Sequence, residues 1–249
     1  MIRNILMDLD ETILDFTKCE NVAIAETFKK IGIEPTSENV KRYSAINDLH
    51  WKRLERKEIT RQEVLIGRFN MLFNELGVSY SGEKANEIYK KSLGNQSFFI
   101  DGALETVKEL CKKYNLYIVS NGTAVVQDSR IEKAKLATYF KKIFISEKLG
   151  VNKPDARFFE LCFKEMPGIK KEETVIVGDS LTSDMLGGEN AGIKNIWYNP
   201  KSQKNTLGVS IWREIHSLDE IDGIITEWIY IKAYIGSYTT GGNPYRLFI

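Results

Sequence analysis

The stretch Ile5-Leu6-Met7-Asp8-Leu9-Asp10-Glu11-Thr12 is an apolar run that ends in two closely spaced carboxylates. The apolar part predicts a buried strand. In an extended segment residues i and i+2 project to the same side, so Asp8 and Asp10 are predicted to face one site. Two close carboxylates repel each other unless a cation or a shared proton holds them. The pair therefore predicts a magnesium site, an acid/base pair, or both.

Three more polar clusters follow apolar runs further along the chain. They are Ser120-Asn121-Gly122 after the run 117–119, Lys153-Pro154 after the run 142–145, and Asp179 and Asp184 after the run 174–178. Each apolar run is a candidate strand, and open α/β sheets place their ligand sites at the carboxyl ends of strands. The clusters are therefore predicted to meet at one edge of a sheet.

The four motifs occur in the order Asp-x-Asp-x-Thr, Ser-Asn-Gly, Lys-Pro and Gly-Asp-Ser between residues 5 and 190. Together they resemble the motifs of the haloacid dehalogenase superfamily of phosphohydrolases. The resemblance implies that Asp8 is a nucleophile that forms an aspartyl-phosphate intermediate. It implies that Asp10 protonates the leaving group and then activates water, and that Lys153 neutralises the aspartate and the transferring phosphoryl group.

The same resemblance implies the ligands of the phosphate and of a Mg²⁺ cofactor. Ser120 would bind the phosphate through its hydroxyl, and Asn121 and Gly122 through their backbone N–H groups. The implied metal ligands are the carboxylates of Asp8 and Asp179, the backbone carbonyl of Asp10, and Asp184, which would act through water or by holding Lys153. Taken alone, Ser-Asn-Gly is equally typical of an ordinary turn after a strand, and Lys153 of a solvated lysine.

The expected fold class is α/β, with a Rossmann-like doubly wound parallel sheet as the core and an inserted α-helical cap domain. The pattern between the first two strands is helical, with a first helix ending at Gly32 and others over about 37–56, 60–77 and 81–93. After residue 102, helices and strands alternate, which predicts parallel crossovers. The predicted elements are helices 103–113, 124–137, 155–166 and 183–191 and strands 116–120, 142–145, 174–178 and 194–198.

The expected domains are a hydrolase core of residues 1–14 and 99–227 and a helical cap of residues 15–98. Residues 228–249 depart from the family pattern, and the sequence favours neither a hairpin nor a disordered extension for them.

The cap is expected to select the substrate. The runs Asn47-Asp48-Leu49-His50-Trp51 and Asp8–Phe16 are similar to a subgroup of nucleotidases that act on pyrimidine and noncanonical nucleoside monophosphates. The resemblance implies that Phe16, Asn47, His50 and Trp51 contact the substrate. Phe16 or Trp51 would stack on a base, and the alternative is that both pack in the cap core.

Composition limits the classes of function. A net charge of +1 gives no broad field for nucleic acid or an anionic membrane, and no run approaches the ~20 apolar residues of a membrane span. A start directly in a core strand predicts that there is no signal peptide. Cys19, Cys111 and Cys162 are widely spaced, which predicts buried reduced thiols and a cytoplasmic enzyme. The expected partner is a small phosphorylated metabolite, most plausibly a nucleotide, and the chain is expected to be a monomer or homodimer.

The leading interpretation is a magnesium-dependent phosphomonoesterase that acts on nucleoside 5′-monophosphates. The alternatives are a phosphatase of a sugar phosphate or phosphoglycolate, a phosphosugar mutase, and a 2-haloacid dehalogenase. Asp10 argues against the dehalogenase, because carbon–halogen displacement needs no proton donor to the leaving group. A binding protein on an inactive scaffold is disfavoured, because Asp8, Asp10, Lys153 and Asp179 are all present.

Overall fold

A six-stranded parallel sheet forms the centre of the molecule. The structure is a computed structural model that describes residues 1–239, with side chains through residue 231. The strands are β1 (Asn4–Met7), β2 (Asn115–Ser120), β3 (Lys142–Ile145), β4 (Thr174–Gly178), β5 (Lys194–Tyr198) and β6 (Arg213–Ile215). Their order is β3-β2-β1-β4-β5-β6, and every neighbouring pair is parallel. The chain therefore winds outward from β1 in both directions, which confirms the predicted α/β fold class.

Helices cover both faces of the sheet, so the strands are apolar on both sides. Ile5 and Val175 lie in a core cluster on one face, with residues of the helices Ala103–Leu110 and Glu220–Thr239. Leu6 and Ile176, one residue further along each strand, lie in a second cluster on the opposite face. This alternation is the period of two expected for extended chains. Strands buried on both faces read as continuous apolar runs, which is why they were predictable.

Four helices between β1 and β2 pack around a hydrophobic cluster of their own. They are α1 (Phe16–Ile31), α2 (Ser37–Glu55), α3 (Arg61–Leu76) and α4 (Gly82–Gly94), and we refer to them as the cap helices. The predicted end signals are present: Gly32 caps α1 in the left-handed conformation, and Thr60 and Glu63 form a capping box before α3. Two adjacent chain segments connect the cap helices to the sheet, with Leu14 and Phe99 paired in an antiparallel bridge.

The remaining helices of residues 1–239 comprise four that were predicted, which differ from the prediction mainly at their ends, and two that were not predicted. They are α5 (Ala103–Leu110), α6 (Ala124–Lys133), α7 (Ser146–Leu149), α8 (Ala156–Lys164), α9 (Leu186–Ala191) and α10 (Glu220–Thr239). The helix predicted over 124–137 ends at Lys133, and a 3₁₀ turn follows over Leu136–Tyr139. The helix predicted over 183–191 begins instead with a π-helical turn over Leu181–Met185.

The C-terminal region departs from the prediction. Residues 228–239 continue helix α10, and Trp228 packs against the core cluster, so the predicted boundary at residue 227 falls within one helix. Residues 240–249 lie outside the described residues. Cys19 and Cys162 are buried free thiols as predicted, whereas Cys111 is half-buried. Within residues 1–239, no helix has the length and apolar character needed to cross a membrane.

Candidate active site

The predicted motif residues meet at the carboxyl edge of the sheet. Met7 of β1 lies between Ile118 of β2 and Val177 of β4, so the residues that follow these strands are neighbours. A cavity of about 200 Å³ lies between this edge and the cap helices. Its walls include all of the predicted catalytic and phosphate-binding residues, namely Asp8, Asp10, Ser120, Asn121, Gly122 and Lys153, and also Asp179 and Asp184. A concave cavity with a few convergent polar groups is typical of a small-molecule site.

Lys153 is a fully buried cation that joins two of the carboxylates. Its Nζ donates to Asp8 Oδ1 at 2.6 Å, to Asp184 Oδ1 at 2.6 Å and to the carbonyl of Val119 at 2.8 Å. Burial lowers the pKa of Lys153, but the charges of Asp184 and Asp8 outweigh this effect and raise it above its usual value. Lys153 therefore stays protonated, with all three of its donors used.

Asp8, Asp179 and Asp184 crowd more negative charge together than Lys153 offsets. Their nearest carboxylate oxygens all lie within 4.8 Å of one another. Burial, followed by the charge of Asp184, raises the pKa of Asp8 to about 8, although Lys153 opposes the shift. Burial and the charge of Asp8 raise the pKa of Asp179 well above its ordinary value. Three clustered carboxylates, with raised pKa values at Asp8 and Asp179, fit a divalent cation with oxygen ligands, such as Mg²⁺.

Asp10 is held apart from this cluster by two side chains of α6. Arg130 Nη1 donates to Asp10 Oδ1, and Gln127 Nε2 donates to Asp10 Oδ2 at 2.7 Å. Arg130 is completely buried, is fixed by a hydrogen bond from its Nε to the Gln96 carbonyl, and lies over the ring of Phe16 at 5.7 Å. These hydrogen bonds fix the orientation of the Asp10 carboxylate. About a quarter of the Asp10 side chain (27%) stays exposed.

The Ser-Asn-Gly turn after β2 has two separate tasks. Ser120 Oγ accepts hydrogen bonds from the backbone N–H of Gly122 at 3.1 Å and from Gln127 Nε2 at 2.8 Å, which leaves its own proton for another acceptor. The side chain of Asn121 makes two hydrogen bonds of 2.9 Å to the backbone of Lys153. Asn121 therefore fixes the loop that presents the lysine.

Arg61 connects the cap helices to the sheet edge. It lies at the first position of α3, and its guanidinium donates to the carbonyls of Asn121 and Gly122, at 3.2 and 3.3 Å. It also donates to Ser146 Oγ and Asn152 Oδ1, both at 2.6 Å. These four hydrogen bonds reach the segments after β2 and β3, which carry the Ser-Asn-Gly turn and Lys153. Arg61 thereby links the position of the cap helices to the geometry of the site.

The four predicted substrate-contacting residues of the cap separate into two pairs. Phe16 and Trp51 line the cavity. Asn47 and His50 are buried in the cap interior, outside the cavity lining. Asn47 hydrogen-bonds with Glu20 and Arg68, and His50 Nδ1 pairs with the carbonyl of Ile46 one turn earlier at 2.8 Å.

In this structure Asn47 and His50 contact other residues of the cap, and a contact of either with the substrate stays a prediction. Their face of α2 packs toward α3, the element with which α2 has its most extensive contact.

Four residues of the site were not recognised in the sequence: Arg61, Arg68, Gln127 and Arg130. Gln127 and Arg130 lie three residues apart on the helix that follows Ser-Asn-Gly, a spacing that places both on one face. Arg68 lies four residues from both Val64 and Leu72, in the apolar stripe of α3, where a charge is unusual. These two spacings were the available signals, and Arg61 had none beyond its place after Thr60.

Comparison with known proteins agrees with the geometry. The family model for haloacid dehalogenase-like hydrolases matches residues 5–198, a span that contains β1 except for Asn4, all of β2 to β5 and every motif residue of the site. The chain belongs to this family. As a member it is a hydrolase, and the predicted family resemblance is confirmed.

Three similar proteins cover nearly the whole fold. The pyrimidine 5′-nucleotidase PynA of Streptococcus pneumoniae is 37% identical over 87% of this chain and 92% of its own. The pyrimidine 5′-nucleotidase YjjG of Escherichia coli is 27% identical over 89% of this chain and 96% of its own. The structure of the HAD-hydrolase YfnB of Bacillus subtilis, bound to magnesium, is 35% identical with a TM-score of 0.86 and covers 90% of this chain and 98% of its own. That structure is also described as revealing interdomain movement.

Proposed function

We propose that this protein is a Mg²⁺-dependent phosphomonoester hydrolase that acts on nucleoside 5′-monophosphates through an aspartyl-phosphate at Asp8. The observation that carries the proposal is the contact of Lys153 with both Asp8 and Asp184 at 2.6 Å, beside Asp179, at the floor of a cavity under the cap helices. A buried nucleophile needs neighbouring cations before a phosphoryl group, itself an anion, can approach it.

The side chains support a two-step transfer. A carboxylate oxygen of Asp8 attacks phosphorus, and the bond from phosphorus to the ester oxygen breaks as that oxygen takes a proton from Asp10. Water then attacks the phosphorus of the aspartyl-phosphate and gives a proton to Asp10, and inorganic phosphate and the free Asp8 carboxylate are released. The hydrogen bonds from Arg130 and Gln127 keep the Asp10 side chain in one position through both steps.

A hydrogen-bond donor and a positive charge are in place for the phosphate at the sheet edge. Ser120 has its hydroxyl proton free, and the Lys153 ammonium lies against Asp8, next to the attacked phosphorus. Asp8, Asp179 and Asp184 fit Mg²⁺, which when bound supplies positive charge to the phosphoryl oxygens. The two positively charged groups together would offset the charge of the transferring phosphoryl group.

Two observations support a nucleotide as the substrate. The relatives PynA and YjjG are named pyrimidine 5′-nucleotidases. In this chain, the rings of Phe16 and Trp51 line the same cavity as Asp8, and an aromatic ring is a suitable surface for a base. The guanidinium of Arg61 lies over the Trp51 ring at 5.5 Å, which orients that ring.

The first test is phosphate release from a panel of phosphomonoesters, with Mg²⁺ and with chelator. The panel comprises nucleoside and deoxynucleoside monophosphates, ribose 5-phosphate, hexose phosphates and phosphoglycolate. We expect chelator-sensitive release that is fastest with nucleoside monophosphates. Faster release from sugar phosphates than from any nucleotide would refute the nucleotide assignment and leave the phosphatase chemistry standing.

A single turnover in H₂¹⁸O shows which atom water attacks, and trapping of the intermediate tests the covalent step separately. Water attacks phosphorus, so the first product phosphate carries ¹⁸O and the Asp8 carboxylate does not. Mass spectrometry of the Asp10→Asn variant, quenched in acid during turnover of p-nitrophenyl phosphate, should show a phosphorylated peptide that contains Asp8. This variant keeps the nucleophile but lacks the base for hydrolysis. No phosphopeptide in a variant that still releases p-nitrophenol would exclude Asp8 as nucleophile. An ¹⁸O label in the Asp8 carboxylate would instead show that water attacks the carbonyl carbon of the intermediate and not phosphorus.

A further inference from the structure

We propose that Arg68 is the residue that recognises the base, by donating a hydrogen bond to a carbonyl oxygen at the cap end of the cavity. This inference rests on the proposed function, and it names the part of the substrate that the cap distinguishes. Arg68 lies on α3 and is only 3% exposed, yet it forms part of the cavity wall. The cavity therefore runs from the carboxylates at the sheet edge to a buried guanidinium in the cap.

The guanidinium is held by neutral groups. Arg68 Nη1 donates to Asn47 Oδ1 at 2.6 Å, and Nη2 donates to Asn86 Oδ1 at 2.9 Å. Within residues 1–231 it has no carboxylate within ion-pair distance, and the acidic residue Glu20 reaches it only through Asn47, which donates to Glu20 at 2.7 Å. Asn47 is thus a positioning residue for Arg68, which gives a physical role to one of the side chains singled out in the sequence.

One nitrogen of the guanidinium group has no hydrogen-bond partner among the described residues. This nitrogen is Arg68 Nε, and it is buried. Rings of Tyr89, Phe69 and Tyr43 lie at 4.9, 5.3 and 5.9 Å from the guanidinium carbon and stabilise its charge, but rings do not replace an in-plane acceptor. A buried polar group without a partner is destabilising, so a ligand oxygen at this point would be bound selectively.

The chemistry of the donor limits what the ligand presents. A guanidinium only donates, so the ligand group must be an acceptor. The phosphate is assigned to Ser120 and Lys153 at the other end of the cavity, which leaves the base as the part of a nucleotide that reaches the cap. Uracil, thymine and cytosine carry a carbonyl at C2, whereas adenine carries none. Arg68 should therefore favour carbonyl-bearing bases over adenine.

The test compares substrates with and without a base on one set of variants. In Arg68→Met, we expect kcat/KM for uridine 5′-monophosphate to fall about 10- to 100-fold. The value for ribose 5-phosphate, which has the same phosphate and sugar but no base, should change less than about threefold. Arg68→Gln, which keeps a neutral donor, should recover part of the loss. The control Arg42→Met removes a cap cation whose ion pair with Glu75 lies on the surface, and it should leave the ratio of the two substrates unchanged.

The outcomes separate this proposal from the proposed function. An equal fall for both substrates, or no fall for either, would overturn the role of Arg68, because a structural residue affects all substrates alike. Wild-type protein that hydrolyses ribose 5-phosphate but no nucleotide would overturn the nucleotide assignment itself.

A second measurement needs no variant and stays decisive even if Arg68→Met does not fold. The 2-thio and 4-thio analogues of uridine 5′-monophosphate replace a carbonyl by a weaker acceptor. One of them should show a kcat/KM at least about fivefold below that of the parent nucleotide. Equal values for all three would refute recognition of a carbonyl.

Discussion

Replacing Asp8 by asparagine should make the metal-free protein more stable while abolishing its activity. Asp8 is only 7% exposed and shares its surroundings with Asp179 and Asp184. The raised pKa of Asp8 shows that the folded protein disfavours its charge despite the contact with Lys153. Asparagine keeps the shape of the side chain and removes the charge. The change in stability on substitution therefore measures how strongly the clustered charges destabilise the metal-free protein.

The magnitude follows from the shift in pKa. Burial and the neighbouring carboxylates raise the pKa of Asp8 from 3.8 to about 8. At ~1.4 kcal/mol per pKa unit, the ionised group destabilises the folded state by up to about 6 kcal/mol. Asp179 is crowded by the same charges, and Asp8 and Asp179 titrate as a pair. We therefore assign about half of this destabilisation, ~3 kcal/mol, to the charge that the substitution of Asp8 removes.

The dependence on pH has a defined sign. Between pH 3.8 and about 8 the folded protein keeps the proton of Asp8 and the unfolded chain does not. The free energy of unfolding of the wild type therefore falls across this window and levels off above it. The variant lacks this titration. Its advantage should be about 3 kcal/mol near pH 9 and should shrink toward zero near pH 4.

Urea denaturation followed by circular dichroism, in chelator at several pH values, measures the effect. The matched control is Asp10→Asn, two residues away. It removes the counter-charge of the fully buried Arg130 and should destabilise the protein by about 3 kcal/mol. With Mg²⁺ the wild type should gain stability by binding the ion, whereas Asp8→Asn, which lacks one ligand, should gain less. A metal-free Asp8→Asn variant no more stable than the wild type at pH 9 would refute the crowding argument.

Three other substitutions probe the contacts of the site. Arg61→Ala removes four hydrogen bonds between cap and sheet edge and should lower kcat/KM about 10- to 100-fold. The control Lys57→Ala breaks an exposed ion pair and should change kcat/KM less than about threefold. Similar effects of the two substitutions would contradict the role of Arg61. Ser120→Ala should lower kcat/KM for p-nitrophenyl phosphate about 100-fold, and unchanged kinetics would remove its hydroxyl from phosphate binding. Gly178→Ala places a Cβ against the Asp184 carboxylate. This variant should lose Mg²⁺-dependent turnover, and calorimetry should show weaker Mg²⁺ binding. Full activity would show that Asp184 can move freely.

The sheet was the most predictable part of the fold because buried parallel strands have a strong apolar signal. The strands predicted over 174–178 and 194–198 have those same bounds in the structure. The sixth strand, Arg213–Ile215, was missed because an edge strand of three residues with two charges carries almost no apolar pattern. Helix α10 was missed although Ile221, Ile225 and Trp228 follow a helical spacing, because the glycines and proline near the C-terminus suggested an irregular tail.

The candidate site was predictable where its residues follow strands. Asp8, Ser120 and Asp179 each come directly after or at the end of a strand, so the topology of a parallel sheet brings them together. Residues on helices depend on how each helix is rotated about its axis. One face of α2 holds Trp51 in the cavity wall and another holds His50 in the cap interior, and the sequence alone does not define these faces.

The distribution of charge in the cavity supports the proposals of a cation at one end and of a substrate acceptor at the other. Arg130 is paired with Asp10, and Lys153 is paired with Asp8 and Asp184, so the negative charge in excess at the sheet edge lies on the cluster that includes Asp179. At the cap end, the hydrogen-bond partners of Arg68 are neutral amides. A divalent cation at one end and a carbonyl oxygen at the other would balance both. A ligand that supplies only one of these two groups leaves the other end of the cavity unsatisfied. Its affinity should therefore be lower than the one contact that it makes would suggest.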